Sequence, residues 1–288
     1  MLTVAIQGIA GSFHDQAAHD MYGGAISLVE CSTFREVFEA VKNGAADKGV
    51  VAIENSLQGS INSVYRLLAE GGVWVEHEHY IRVEQFLIGA RACRVSSINN
   101  DSVEILSHPV ALVQVEQWLG THAPLAHKVE NSDTALAVKQ VCAAGSTHQF
   151  AVAGKAAAEL YGGVIIAGPI NDDIHNYTRF FGLATTQPVT DSLQKSTPRP
   201  AQRTSIILQT SHNAGALYAA LGAFAKNGVS LSKLDSHPIA GDTFSYAFYV
   251  DFDESPTSVV GLSILQEISQ QGCSVRILGS YPAESLPL

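Results

Sequence analysis

The chain has 288 residues, 46% hydrophobic and 15% charged, enough apolar material for one large domain or two ordinary ones and too much for a disordered chain. Its formal net charge is −10, a field that repels nucleic acid and anionic lipid, so neither is expected as a partner, and an anionic ligand would need local devices such as helix N-termini and a few placed cations. Cys31, Cys93, Cys142 and Cys273 lie far apart with no C-x-x-C pair, which points to reduced, buried thiols in a cytoplasmic protein and to no metal cage.

In chain order, MLTVAIQG enters a strand at once, with no basic and apolar leader, so no signal peptide is expected. No apolar run approaches the ~18 residues of a membrane span. Strand 3–6 leads into GIAGSF and a helix from about Ser12 to Met21. KGVVAIE (48–54) leads into NSLQGS and the helix INSVYRLLAEGG. EHEHY, Glu76 to Tyr80, reads as an exposed strand. His77 and His79 would share one face of it, but no further ligand run stands nearby, so no metal site is expected. SVEILS (102–107) leads through His108 and Pro109 into one helix, ALVQVEQWLG. NSD precedes the helix TALAVKQVCAAG, FAVAG (150–154) leads into KAAAELYGG, and VIIAG (164–168) follows. This βαβα rhythm predicts a largely parallel sheet covered by helices. NYTRFFGL (176–183) reads as a buried strand with Thr178 and Arg179 set among aromatics. An arginine there must be paired, lie at a strand end, or await a ligand.

Residues 185–202 carry three prolines and many small polar residues and read as a linker. The pattern then restarts as TSIILQTS (strand), AGALYAALGAFAKNG (helix), VSLSKLDSHP and FSYAFYVDFD (strands), SPTSVVGLSILQEISQQG (helix) and SVRILGSYP (strand). The order β-α-β-β-α-β over about 80 residues predicts a ferredoxin-like unit, a four-stranded antiparallel sheet with two helices on one face.

Several stretches could carry chemistry. In GIAGSF, Gly8 to Phe13, glycine allows a tight turn and a close approach, and Ser12 is placed to cap a helix whose N–H groups favour an anion. An ordinary capped turn is the alternative. The spacing is not G-x-G-x-x-G, so a dinucleotide site is rejected. Glu54, Asn55 and Ser56 sit at the carboxyl end of a buried strand, where open α/β sheets place ligands. Gln58, Gly59 and Ser60 open the next helix. Glu54 would act as an acid if burial raised its pKa, would pair with a cation, or would lie in a solvated loop. His108 is a cap, a core residue or a catalyst. Ser132 or Asp133 caps a helix, with Thr134 pointing a hydroxyl at its start. Two tryptophans and scattered tyrosines give no stacking platform for nucleic acid. Together the strand ends describe a cleft for a small anion, without a cofactor cradle.

At this point the residues resemble the prephenate dehydratase family with a C-terminal ACT regulatory domain. The matches are Gly-x-x-Gly-Ser-Phe at 8–13, IENSLQGS at 53–60, SHP-x-AL at 107–112, DTA at 133–135, AELYG at 158–162 and NYTRF at 176–180, with NAGAL at 213–217 and DSHP at 235–238 for the ACT pattern. The resemblance spans nearly the whole chain, and the pairing of IENS-x-x-GS with NYTRF is specific.

The resemblance implies an α/β catalytic domain over 1–184, built of two lobes like a type 2 periplasmic binding protein, the linker 185–202, and a ferredoxin-like βαββαβ ACT domain over 203–285. It implies conversion of prephenate to phenylpyruvate, with loss of water and carbon dioxide, on the route to phenylalanine and with no cofactor. Arogenate dehydration and non-catalytic capture of a small acid are the alternatives. It implies that Thr178 is catalytic and that Ser12, Glu54, Asn55, Ser56, Gly59, Thr134, Arg179 and Phe180 line the substrate cleft. Because Thr178 and Arg179 point to opposite faces of a regular strand, Arg179 is either a carboxylate clamp or a structural ion pair. L-phenylalanine is implied as effector at Asn213, Gly215, Ala216, Leu217 and Ser236 between paired ACT domains, in a homodimer or homotetramer. The chain departs from the common pattern at Val110 (Gln in many members), Asp133 (Ser), Ala214 (Pro), Asp235 (Glu) and His237 (Arg).

Overall fold

The computed structural model describes residues 1–91, 98–186, 202–211, 213–239 and 246–286. Cys93 and most of the 185–202 linker lie outside the described residues.

The elements run β1 (Leu2–Gln7), α1 (Phe13–Tyr22), β2 (Ile26–Cys31), α2 (Phe34–Lys42), β3 (Lys48–Asn55), β4 (Gly59–Ser60), α3 (Asn62–Glu70), β5 (Trp74–Arg82), β6 (Phe86–Gly89), β7 (Glu104–Ser107), α4 (Pro109–Val113), α5 (Glu116–His122), β8 (His127–Glu130), α6 (Thr134–Ala144), β9 (Gln149–Ala153), α7 (Lys155–Tyr161), β10 (Val164–Ala167) and β11 (Tyr177–Ala184). Then come β12 (Gln202–Gln209), α8 (Ala216–Lys226), β13 (Leu231–Pro238), β14 (Tyr246–Phe252), α9 (Val259–Gln270) and β15 (Ser274–Pro282). None of the described helices is long and apolar enough to cross a membrane. Packing divides the chain into two units, one of Met1–Ile61 with His79–Phe180, the other of Asn62–Glu78 with Phe181–Leu286.

The first unit has two α/β lobes. In the first lobe the strand order is β11-β3-β1-β2, with β1 parallel to both β2 and β3. Val4, Ala5 and Ile6 are all fully buried, as a strand covered on both faces requires. Ser12 caps α1 by accepting from the Asp15 N–H, and Thr33 caps α2 by accepting from the Glu36 N–H. The apolar core joins Val4, Ile6, Ala17, Ala18, Val50, Ala52, Ile81 and Phe180.

The second lobe is a sheet of order β10-β6-β9-β7-β8. Strand alternation divides its core in two. Leu87, Ile105, Phe150 and Val152 face α4 and α5, whereas Ile88, Ala151 and Ala153 face α6 and α7. The second face is lined by alanines on both sides, so helix and sheet approach closely. Gly163 belongs to this tight layer, since a Cβ there would lie 2.6 Å from Ile88 Cγ2. Two crossovers join the lobes and hydrogen-bond to each other: Val83 N–H to Asn176 O at 2.7 Å, Asn171 Nδ2 to Val83 O at 3.0 Å, and Gln85 N–H to Asn171 Oδ1 at 2.7 Å. This is the two-lobed architecture that the family resemblance implied, and it replaces the single largely parallel sheet read from the βαβα rhythm: among the described residues there are two sheets, and β6 runs antiparallel to both β9 and β10.

The second unit contains β12, α8, β13, β14, α9 and β15. Its strand order is β13-β14-β12-β15 with every neighbouring pair antiparallel, which is the ferredoxin-like topology. Ile206, Leu208, Ala220, Phe224, Val250, Phe252, Ile264 and Ile268 form its core. Residues 62–78 pack here as well. The Arg276 guanidinium donates to the Leu68 and Ala69 carbonyls and so satisfies the last turn of α3. Tyr249 Oη donates to Tyr65 O at 2.8 Å, and the His237 ring stacks on Tyr65 with centroids 4.7 Å apart.

Three local expectations change. EHEHY is not an exposed strand: Val75 of β5 pairs with Gly279 of β15, and Glu78 is buried against Arg203. Gly59 and Ser60 do not open α3 but form β4, which folds back on Asn55 and Glu54. ALVQVEQWLG is broken into α4 and α5. The break has a tertiary cause, because the Asp172 carboxylate accepts from Gln117 N–H (2.9 Å) and Trp118 N–H (3.0 Å), starting a new helix there.

Candidate active site

A dense polar cluster lies where β3 ends and β11 begins. Asn55 is 8% exposed, and its Oδ1 accepts from the Leu57 and Gln58 N–H groups, both at 3.0 Å. Its Nδ2 then faces Asn176 Oδ1 at 2.8 Å, Thr178 Oγ1 at 3.0 Å and Tyr177 O at 3.2 Å. Ser56 locks the two strands together: its N–H donates to Tyr177 O, its Oγ donates to His175 O, and its Oγ accepts from Tyr177 N–H at 2.9 Å. The Thr178 oxygen is thus an acceptor for Asn55, which directs the hydroxyl proton elsewhere and, by polarisation along the chain of bonds, strengthens it as a donor.

Strand alternation separates the rest of the motif. Arg179 is 6% exposed and its guanidinium lies over the Tyr80 ring, 5.8 Å from the centroid. Phe180 returns to the Thr178 side but is 1% exposed, in the first-lobe core against the edge of His14. Glu54 precedes Asn55 in β3, so its side chain takes the opposite face of the strand. Gly59 has a positive φ of 77° and nothing crowding it.

The glycine loop after β1 is occupied by protein. Ala10 N–H donates to Glu30 Oε1 (2.8 Å) and Gly11 N–H to Asp15 Oδ2 (2.7 Å), so the carboxylates of this chain already take the donors an anion would use. Ser12 is 4% exposed and serves as the α1 cap. The glycines instead permit contact with the second lobe. A Cβ on Gly8 would lie 2.5 Å from Asp133 Oδ2, and one on Gly11 would lie 3.2 Å from the Ala157 Cα. Tyr161 Oη donates to Ala10 O at 2.7 Å. Asp133, not Ser132, caps α6, accepting from Leu136 N–H at 2.9 Å, with Thr134 as the first helical residue.

This contact region carries shifted titrations. Burial raises the Asp133 carboxyl above its ordinary value, against the pull of the Leu136 and Ala135 N–H groups and of His108. Burial lowers the His108 imidazole, against the pull of Asp133 and Glu130. His108 Nδ1 accepts from Val110 N–H at 3.3 Å, capping α4. A neutral ring bonded this way carries its proton on Nε2.

Sequence reasoning passed over His14, Glu30 and Tyr161. The His14 ring packs on Phe34 and Phe180, and its Nε2 accepts from Ala52 N–H at 3.2 Å. Burial pushes its pKa down to about 3 from 6.5. The unfolded chain therefore binds a proton in that interval that the fold excludes. Stability is complete above the unfolded value and is lost as pH falls through the window toward the folded one. His14→Gln keeps an acceptor for Ala52 and cannot titrate. Chemical denaturation at about pH 7 and about pH 5 should show the wild type losing more stability on acidification than the variant; equal losses would place the sensitivity elsewhere.

In the second unit, Gly215 is the left-handed N-cap of α8 (φ 83°), Asn213 is exposed beside it, and Ala216 and Leu217 begin the helix. Ser236 points outward from β13, whereas His237 points inward, 7% exposed, with its Nε2 3.2 Å from Asp235 Oδ2.

The prephenate dehydratase family profile matches residues 4–188. Arogenate dehydratase 5 of Arabidopsis thaliana is 35% identical over 99% of this chain and 68% of its own length. A bifunctional N-acyl-homoserine lactone acylase/prephenate dehydratase of Komagataeibacter europaeus is 34% identical over 97% of this chain and 95% of its own. The crystal structure of a prephenate dehydratase from Arthrobacter aurescens in complex with L-Phe superposes with a TM-score of 0.84 at 25% identity, over 98% of this chain and 90% of that one. Matched over more than half its residues and sharing the fold along nearly all of its length, the chain belongs to the prephenate dehydratase family.

Proposed function

We propose that this chain is a prephenate dehydratase of aromatic amino-acid biosynthesis, a carbon–oxygen lyase, with Thr178 as the residue that assists departure of the ring hydroxyl. The observation that carries this reading is the Asn55 N–H held against Thr178 Oγ1 at 3.0 Å. In the reaction the ring C–COO⁻ bond breaks, its electron pair enters the ring, and the ring C–OH bond breaks. Carbon dioxide and hydroxide leave, and hydroxide takes up a proton to become water. Aromatisation supplies the driving force. The protein must hold the breaking carboxylate perpendicular to the diene and stabilise negative charge on the departing oxygen. A threonine hydroxyl is too weak an acid to give up its proton, so Thr178 donates a hydrogen bond, and the proton comes from water, either alone or relaying it from the Glu54 carboxyl on the other face of β3. If Glu54 supplies it, kcat should fall as pH rises and Glu54→Gln should abolish that fall; a flat profile counts against Glu54. Ser56, Gly59 and Thr134 belong to the walls of the same cleft, Ser12 and Phe180 support it, and Arg179, stacked on Tyr80, either clamps a substrate carboxylate or braces the strands.

The test is phenylpyruvate formation from prephenate by the purified protein, with arogenate assayed beside it. Arogenate is the second reading. It is favoured by the arogenate dehydratases among the relatives and by Asp133, a carboxylate suited to the substrate's ammonium group. A higher kcat/KM with arogenate would make it the physiological substrate.

The ferredoxin-like unit acts as an ACT domain in this reading, binding L-phenylalanine through Asn213, Gly215, Ala216, Leu217 and Ser236 in a cytoplasmic homodimer or homotetramer. The L-Phe complex of the Arthrobacter aurescens protein supports the ligand. Phenylalanine should lower the rate and raise the melting temperature. An unchanged rate and melting temperature would remove the effector site, and a monomer in sedimentation would remove the paired domains.

A further inference from the structure

We propose that Asn176 is a positioning residue that aims the Thr178 hydroxyl by fixing the amide of Asn55. The proposal rests on the prephenate dehydratase reading and extends it to a side chain outside the cleft wall. Hydrogen-bond capacity and distance together make the assignment. Both lone pairs of Asn55 Oδ1 are taken, by the Leu57 and Gln58 N–H groups, which settles which end of the amide is nitrogen. The terminal torsion of an asparagine is soft, so donors at the oxygen end alone leave the nitrogen end free to rock. Three acceptors surround Nδ2, which has two protons. Asn176 Oδ1 is nearest at 2.8 Å. Tyr177 O is farthest at 3.2 Å and is already engaged by Ser56 N–H at 2.8 Å. One proton therefore belongs to Asn176 and the other falls to Thr178 Oγ1.

Asn176 is itself rigid. It is 1% exposed, and its carbonyl accepts from Val83 N–H at 2.7 Å on the opposite crossover. Its Nδ2 is buried without a hydrogen-bond partner among the described residues. A buried donor left unpaired is destabilising, so a position that needed only packing would be better filled by an apolar residue. What the amide contributes here is its oxygen.

Because Asn176 acts through another residue, its effect must vanish when the Thr178 hydroxyl is gone. Prephenate turnover is measured for the wild type, Asn176→Ala, Thr178→Val and the double variant. Asn176→Ala should lower kcat about ten- to hundredfold with KM nearly unchanged, and should cause no further loss in the Thr178→Val background. Asn176→Leu, which keeps the volume, repeats the cycle should the alanine variant melt below the assay temperature. A folded Asn176 variant with wild-type kcat, or a loss of full size in the Thr178→Val background, would overturn the proposal. A wild type that forms no phenylpyruvate would overturn the functional reading itself and the proposal with it.

Discussion

Thr178→Val should lower kcat by about a hundred- to a thousandfold, the loss found when one donor to a developing negative charge is removed, ~2.7–4 kcal/mol of transition-state stabilisation. Valine keeps the branched shape, and β11 favours it. The fold should therefore survive, with a melting temperature only a little lower because Asn55 Nδ2 loses one acceptor. The charge on the departing oxygen develops only as the C–O bond breaks, so the loss should fall on kcat and leave KM within a few-fold. Thr178→Ser retains the hydroxyl but frees its rotor, and should fall between the two. A valine variant with wild-type kcat would show that Thr178 Oγ1 serves only as an acceptor for Asn55 in the scaffold, and the leaving group would need another donor.

The second large effect is on stability. The Glu78 side chain is fully buried, and Arg203 Nη1 meets both of its carboxylate oxygens, at 2.9 and 3.2 Å. Glu284 N–H adds a third bond to Glu78 at 2.9 Å, and Arg203 Nε also binds Asp253 at 2.8 Å. Arg203→Met keeps the stem and removes the charge, taking from the buried Glu78 carboxylate the guanidinium that meets both of its oxygens. Breaking such a pair from one side costs ~3–5 kcal/mol. For a unit of this size that is a fall in melting temperature of roughly 10–20 °C. Glu78→Gln in the Arg203→Met background removes the buried charge and should recover part of the loss. Equal melting temperatures for wild type and Arg203→Met would mean that water reaches Glu78 and the pair is worth no more than a surface bridge.

Whereas the two lobes were implied only by the family resemblance, the sequence by itself determined most element types, the α/β rhythm of the first part, the ferredoxin-like order of the second and the opposite facing of Thr178 and Arg179. Each follows from local rules: period-2 and period-3.6 patterning, capping hydroxyls, and glycines where the chain must turn. The family resemblance rested on the same short motifs. Only the tertiary structure decided the features that depend on partners far along the chain. EHEHY reads as exposed because its alternation is polar, yet β15, some two hundred residues later, pairs with it, and Arg203 makes burial of Glu78 tolerable. ALVQVEQWLG reads as one helix because nothing within it is a breaker; Asp172 caps its second half from outside. The glycine loop could be read locally as an anion cradle or a capped turn, and the choice fell to Glu30 and Asp15, which take its N–H groups, and to Asp133, which abuts Gly8. The same holds for the site. Asn55 and Thr178 were legible as motif members, but that one amide proton reaches Thr178 while Asn176 holds the other depends on distances between strands 121 to 123 positions apart in the chain. A hydrogen bond is made by geometry across space, and sequence fixes such geometry only after the whole chain has packed.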